Sequence, residues 1–138
     1  MVNAVSKSLR IEIVSDVVCP WCYIGKANLE KAISELKLEY QNLEIHIEFK
    51  PFRLDPNLPS SGLPRDEVLS KKFGSKERML EIFENTIQAA SDSGIQMEFK
   101  TGIMQPNTLD SHRLIRLAKE FSLQESMAKS LFKAYFTD

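Results

Sequence analysis

The stretch Leu9-Arg10-Ile11-Glu12-Ile13-Val14-Ser15-Asp16-Val17-Val18-Cys19-Pro20-Trp21-Cys22 decides how this chain folds. Leu9, Ile11 and Ile13 alternate with Arg10 and Glu12, so residues 9–15 predict a strand with side chains turned to opposite faces. Asp16 to Pro20 break the alternation. From about Trp21 the apolar positions move to helical spacing, with Leu29, Ala32, Ile33 and Leu36 at i, i+3, i+4 and i+7. Strand then helix, with Cys19 and Cys22 at the junction, places two thiols in and beside a first helical turn.

Working outward, residues 43–49 return to alternation. Leu43, Ile45, Ile47 and Phe49 share one face; Glu44, His46 and Glu48 share the other, as on a strand with a wet side or a sheet edge. Strand, helix, strand is a βαβ unit, so the two strands should run parallel with a right-handed crossover. Residues 51–66 carry Pro51, Pro56, Pro59, Pro64 and Gly62 and predict an extended loop. The rest reads as helical. A short helix over 66–73 should stop at Gly74, and Ser75 should cap the next, whose stripe is Met79, Ile82, Phe83, Thr86, Ile87 and Ala90 up to Gly94. Residues 95–106 read as irregular. Asn107 or Thr108 then caps a helix with Leu114, Leu117, Ala118 and Phe121 on its apolar face. Ser122 and Glu125 fit a capping box for a last helix lined by Met127, Ala128, Leu131, Phe132 and Tyr135. The fold class is α/β, with an N-terminal part over 9–55 and a helical part over 65–138.

The totals fit one core in 138 residues, with 43% hydrophobic and 27% charged residues. A net charge of -1 with no basic block argues against nucleic acid as a partner. No apolar run approaches a membrane span, and Met1 to Ser8 lack the apolar centre of a secretory signal. The expected compartment is therefore the cytoplasm, where a lone cysteine pair serves catalysis, redox sensing or metal binding more often than stapling.

Only two cysteines are present, and their spacing points to thiol–disulfide exchange. The attacking species is a thiolate, so the site must make one thiol acidic. A helix N-terminus does this with unpaired N–H groups and the positive end of its dipole, and Cys19 falls there. Pro20 is tolerated in a first turn because its missing N–H has no helical partner. Cys22, one turn further in, should be less exposed and placed to attack a mixed disulfide at Cys19. That makes Cys19 the expected nucleophile and Cys22 the expected resolving thiol. A structural disulfide is the bland alternative, but so short a loop constrains the unfolded chain little. Zinc is another: structural zinc takes four N or S ligands, and His46 and His112 lie on distant elements. No metal is expected.

Ser15 to Lys26, with Cys19-Pro20-Trp21-Cys22 at its centre, resembles the active-site segment of the FrnE-like branch of the DsbA family. These are thioredoxin-fold oxidoreductases with a helical insertion. Pro51-Phe52-Arg53-Leu54-Asp55-Pro56, Asn107-Thr108 with His112-Arg113, and Leu131-Phe132-Lys133-Ala134-Tyr135-Phe136 resemble the same branch. The resemblance implies that Cys19 and Cys22 form the redox pair and that Pro20 and Trp21 tune it. It implies no metal or organic cofactor; glutathione or protein thiols would be the redox partners and protein or small thiols the substrates. It also raises Asn107, Thr108 and His112 as lining for a substrate groove. Their bland reading is helix capping, with His112 on a solvated face, and it is the favoured one. Phe52 and Arg53 read as structural. A related branch, the hydroxychromene-carboxylate isomerases and kappa-class glutathione transferases, usually has serine at the first cysteine position, so Cys19 argues against it.

Members of the family continue well beyond the stretch matching Tyr135-Phe136. They add a strand preceded by a cis-proline, a further strand and a closing helix. The expectation is therefore an incomplete sheet in a truncated form: a splice product, an incomplete gene reading or a cut fragment. An unpaired edge along residues 9–15 would invite pairing with a second copy. A glutathione-dependent isomerase or transferase of that related branch, a non-catalytic interaction role and a redox-responsive chaperone are the rival functions.

Overall fold

The computed structural model describes residues 6–138; most of the Met1–Ser8 segment read for a leader lies outside the described residues. β1 (Lys7–Ser15) leads through a tight turn to α1 (Pro20–Glu39), and β2 (Leu43–Pro51) returns beside β1. The two strands pair parallel, with Leu9 opposite Ile45, Ile11 opposite Ile47 and Ile13 opposite Phe49. The predicted βαβ unit is therefore present, with both strands starting or ending within two residues of their expected limits. Among the described residues β1 pairs with β2 alone, and Val14 is 62% exposed beside that second edge.

The helical part follows as α2 (Arg65–Phe73), α3 (Lys76–Asp92), α4 (Leu109–Lys119) and α5 (Gln124–Phe136). Gly74 ends α2 in the left-handed conformation, φ 97°, which a residue without Cβ adopts freely. Ser75 then caps α3, its hydroxyl accepting from the Arg78 N–H at 3.1 Å. Two stretches expected to be irregular contribute a short antiparallel pair, β3 (Leu63–Pro64) with β4 (Met104–Gln105). Gly62 precedes it at φ 75°, where a Cβ would stand 2.7 Å from the Gln105 carbonyl oxygen.

The core joins the two parts. Val17 and Val18 from the turn before α1, Ile24 from α1 and Phe49 from β2 pack with Phe132 and Phe136 of α5, each of the latter 1% exposed. Tyr23 stacks on Phe132 with ring centroids 5.1 Å apart and on Phe136 at 6.0 Å. α5 therefore seats the first turn of α1, and Cys22 packs against the same cluster.

Three sequence readings are corrected. On α4 the buried residues are Ile115 and Ala118, while Leu114, Leu117 and Phe121 are exposed. The helix carries two overlapping apolar rows, and tertiary packing selects the row offset by one residue. On α1, Ala32 is exposed and its companions are half-buried. Ser122 forms no capping box: it stands at φ 57°, α5 starts at Gln124, and no side chain caps it. Gln124 is instead buried against β2. Its Oε1 accepts from the Phe49 N–H at 2.7 Å and its Nε2 donates to the Ile115 carbonyl at 3.3 Å. A side-chain amide thus meets a backbone donor that no strand reaches, as buried peptide groups require.

Candidate functional site

The turn that opens α1 is held by its own backbone. The Cys19 N–H donates to the Asp16 carbonyl at 3.1 Å, and Pro20 takes the first helical position. Cys19 is the N-cap, in extended conformation, and its Sγ accepts from the Cys22 N–H at 3.3 Å. Sulfur here fills the place that a serine or aspartate oxygen takes in other helices, so negative charge on it is stabilised by the helix end.

Both cysteines are free and half-buried. The expectation that Cys22 would be the less exposed is not met as a difference in burial; the two differ in acidity. The Cys19 thiol is lowered to about 6, first by the hydrogen bond from the Cys22 thiol, then by the N–H groups of Cys22 and Trp21; burial and the Asp16 charge oppose this. Cys22 is pushed up, first because its proton is held by Cys19, then by burial. One shared proton is the main cause of both displacements, so they belong to the pair as much as to either residue. Trp21 is 57% exposed beside the thiols.

Asp16 is the residue that sequence reading missed. It is 2% exposed and gathers three parts of the chain. Its Oδ1 accepts from the Val17 N–H at 2.9 Å and faces His112 Nε2 at 3.1 Å; its Oδ2 accepts from the Leu54 N–H at 2.9 Å. Burial alone would raise its pKa, but the bond from His112, the Leu54 N–H, the Thr108 hydroxyl and the His112 charge together hold the carboxyl below its ordinary value. The available signal was an acid three residues before Cys19, inside the strand-to-helix turn.

His112 therefore does not sit on a solvated face: its side chain is 8% exposed. Thr108 is buried as well and turns to Asp16. Asn107 supplies the helix-start bond, its Oδ1 accepting from the Leu109 N–H at 3.0 Å and from Arg53 Nη2 at 2.9 Å. Its Nδ2 donates to the Leu58 carbonyl at 2.7 Å. The structure thus brings Thr108 and His112 beneath the thiol-bearing turn, and Asn107 beside them against Arg53 and the 56–58 loop.

Two clefts flank the turn. A cavity of about 380 Å³ runs from Cys19, Pro20 and Trp21 to Val68 and Phe73 of α2 and Phe83 of α3. Its wall includes Arg65, 1% exposed, whose guanidinium lies 5.3 Å from the Phe83 ring centre and 5.4 Å from that of Phe99. Arg65 also bonds to Asp66 and the Lys100 carbonyl. A second cleft of about 740 Å³ lies on the His112 side, between α4 and the end of β2. Among the described residues no three His, Cys, Asp or Glu side chains gather as metal ligands, and no helix is long and apolar enough to cross a membrane.

A thiol pair straddling the first turn of a helix, on a βαβ unit with a helical part packed against it, defines a thioredoxin-like domain with a helical insertion. Comparison with known families agrees: the DSBA-like thioredoxin domain matches residues 10–138, and the chain belongs to that family. It is similar to the uncharacterized protein YwbO of Bacillus subtilis (strain 168), 26% identical over 132 residues, which are 95% of this chain and 58% of that protein. Among solved structures it resembles the crystal structure of the probable DsbA oxidoreductase SCO1869 from Streptomyces coelicolor. There the TM-score is 0.81 and the identity 32%, over 94% of this chain and 54% of that one. The chain spans a little over half the length of each.

Proposed function

We propose that this chain carries the redox site of a protein thiol–disulfide oxidoreductase of the DsbA type, FrnE-like branch, working through Cys19 and Cys22. The observation behind this is the unequal pair: an acidic Cys19 Sγ capping α1 at 3.3 Å from the Cys22 N–H, and a Cys22 that keeps its proton. Cys19 thiolate attacks one sulfur of a substrate disulfide; the other leaves as a thiolate, and a mixed disulfide forms. Its formation removes the charge that held the Cys22 proton, so Cys22 becomes easier to deprotonate just when it is needed. Cys22 then loses its proton and attacks Cys19 Sγ, expelling the second substrate thiolate. Two electrons pass from the cysteine pair to the substrate, and the reverse sequence oxidises a dithiol. Glutathione or protein thiols restore the pair, and the cytoplasm is the proposed compartment.

The test is a glutathione redox titration of the 138-residue chain, with thiols trapped by a mass-tagged alkylator and folding followed by circular dichroism. Cys19 and Cys22 titrating as one two-electron couple supports the reading. Two independently behaving thiols in a folded chain would sink it. A Cys19→Ser variant separates the glutathione-isomerase alternative, which keeps activity with serine, from exchange, which loses it.

A further inference from the structure

We propose that His112 is a positioning residue for Cys19, acting through Asp16: the helical insertion holds in place a buried carboxylate that faces the thiol pair. This rests on reading Cys19 as the attacking thiol.

The geometry fixes the roles. His112 Nε2 stands 3.1 Å from Asp16 Oδ1 and 2.9 Å from the Phe52 carbonyl. Both partners are acceptors, so Nε2 carries the proton and donates. A backbone carbonyl on one side thereby fixes the tautomer presented to the carboxylate on the other. Asp16 in turn accepts the Cys19 N–H through its own carbonyl, 3.1 Å away, so the side chain that His112 grips belongs to the residue that shapes the turn.

The charged surroundings leave this role to His112. From α1, Asp16 faces Cys19 and Cys22, whose thiolates its charge disfavours. From the segment after β2 it receives only the Leu54 N–H; Arg53 there is engaged by Pro56 and Asn107. Lys50, Glu48, Arg113 and Arg116 line the cleft on the far side of His112, where Lys50 pairs with Glu48 and Arg113 with Asp110. Among the described residues His112 is thus the one cationic-capable side chain bonded to Asp16. Its withdrawal leaves the carboxylate charged, because the Val17, Leu54 and Thr108 donors remain, but unshielded toward sulfur. Removing Asp16 has the opposite sign.

The experiment follows the pH profile of Cys19 alkylation by iodoacetamide in the reduced chain. Asp16→Asn should move the inflection down and raise the rate several-fold on the acid side. His112→Ala should move it up, lowering that rate several-fold. His112→Gln, which can still donate from a similar position, should restore most of the wild-type profile. In the Asp16→Asn background, His112→Ala should have no further effect. A merely structural role would shift both single variants in the same direction, and that outcome overturns the proposal. So does a His112→Ala effect that persists without the carboxylate. Should His112→Ala not fold, His112→Phe fills the volume without a donor and must shift the inflection upward. If the alkylation shifts occur but the redox titration shows no two-electron couple, the positioning role stands and the exchange reading falls.

Discussion

Replacing Cys22 by alanine tests the central electrostatic argument. The Cys19 thiol is lowered from 9.0 to about 6, and the bond from the Cys22 thiol is the largest cause. At pH 7 a thiol with pKa about 6 is about 90% thiolate, against about 1% for one at 9.0. The more acidic thiolate is the poorer nucleophile: with a Brønsted slope of about 0.45, three units cost about 20-fold. The net advantage in rate is then only about 4-fold at pH 7, but about 40-fold at pH 5, where the thiolate fractions differ by almost a thousand. The assay is therefore the rate of iodoacetamide alkylation, mapped to Cys19 by mass, from about pH 4 to about pH 9. Wild type should show an inflection near 6. Cys22→Ala should shift it toward the ordinary cysteine value, with the greatest loss of rate on the acid side. The same acidity stabilises the reduced pair at pH 7 by a factor of about 11, raising the reduction potential by about 30 mV. An inflection at the free-cysteine value in wild type would refute the reasoning. An inflection that stays near 6 in Cys22→Ala would place the whole effect in the helix end.

Two further changes probe the scaffold. Gln124→Leu removes the partner of the buried Phe49 N–H and should cost about 1–3 kcal/mol in urea unfolding; a loss under about 0.5 kcal/mol would show that β2 finds other partners. Gly62→Ala puts a Cβ 2.7 Å from the Gln105 carbonyl at φ 75° and should cost about 1–3 kcal/mol, read as a lower melting temperature; an unchanged melt would mean that the β3–β4 corner shifts freely.

The N-terminal half was legible because its signals are local. Period two in Leu9–Ile13, the helical spacing after Trp21 and the return to period two at Leu43 each lie within one element. The caps at Gly74 and Ser75 are local too. In the thiol-bearing turn Cys19, Pro20 and Cys22 could be placed for the same reason. Asp16 acquires its role from Leu54 and His112, far away in the chain, so its place three residues before Cys19 was the one local sign of it. His112 looked solvated because its helix neighbours Asp110 and Arg113 are. Arg65 opens a helix with polar neighbours, yet it is buried between two aromatic rings that lie 18 and 34 positions further on. Ser122 and Glu125 matched a capping pattern, but burying Gln124 against β2 fixes the chain in a different turn. Each miss is a long-range contact overriding a local rule.

The bond between Asp16 and His112 spans 96 positions, and that between Asp16 and Leu54 spans 38. These separations give the site an order of assembly. The helix cap at Cys19 forms as soon as α1 does, whereas the carboxylate beside it is gripped only after α4 docks on the βαβ unit. Bringing ends together across the longer span costs only about 0.8 kcal/mol more in chain entropy, yet contacts of high sequence separation come late in folding. The prediction is that in refolding Cys19 is capped before Asp16 is gripped, which the time course of Cys19 alkylation checks. Thiol reactivity, sampled in time, becomes a clock for the docking of the helical insertion.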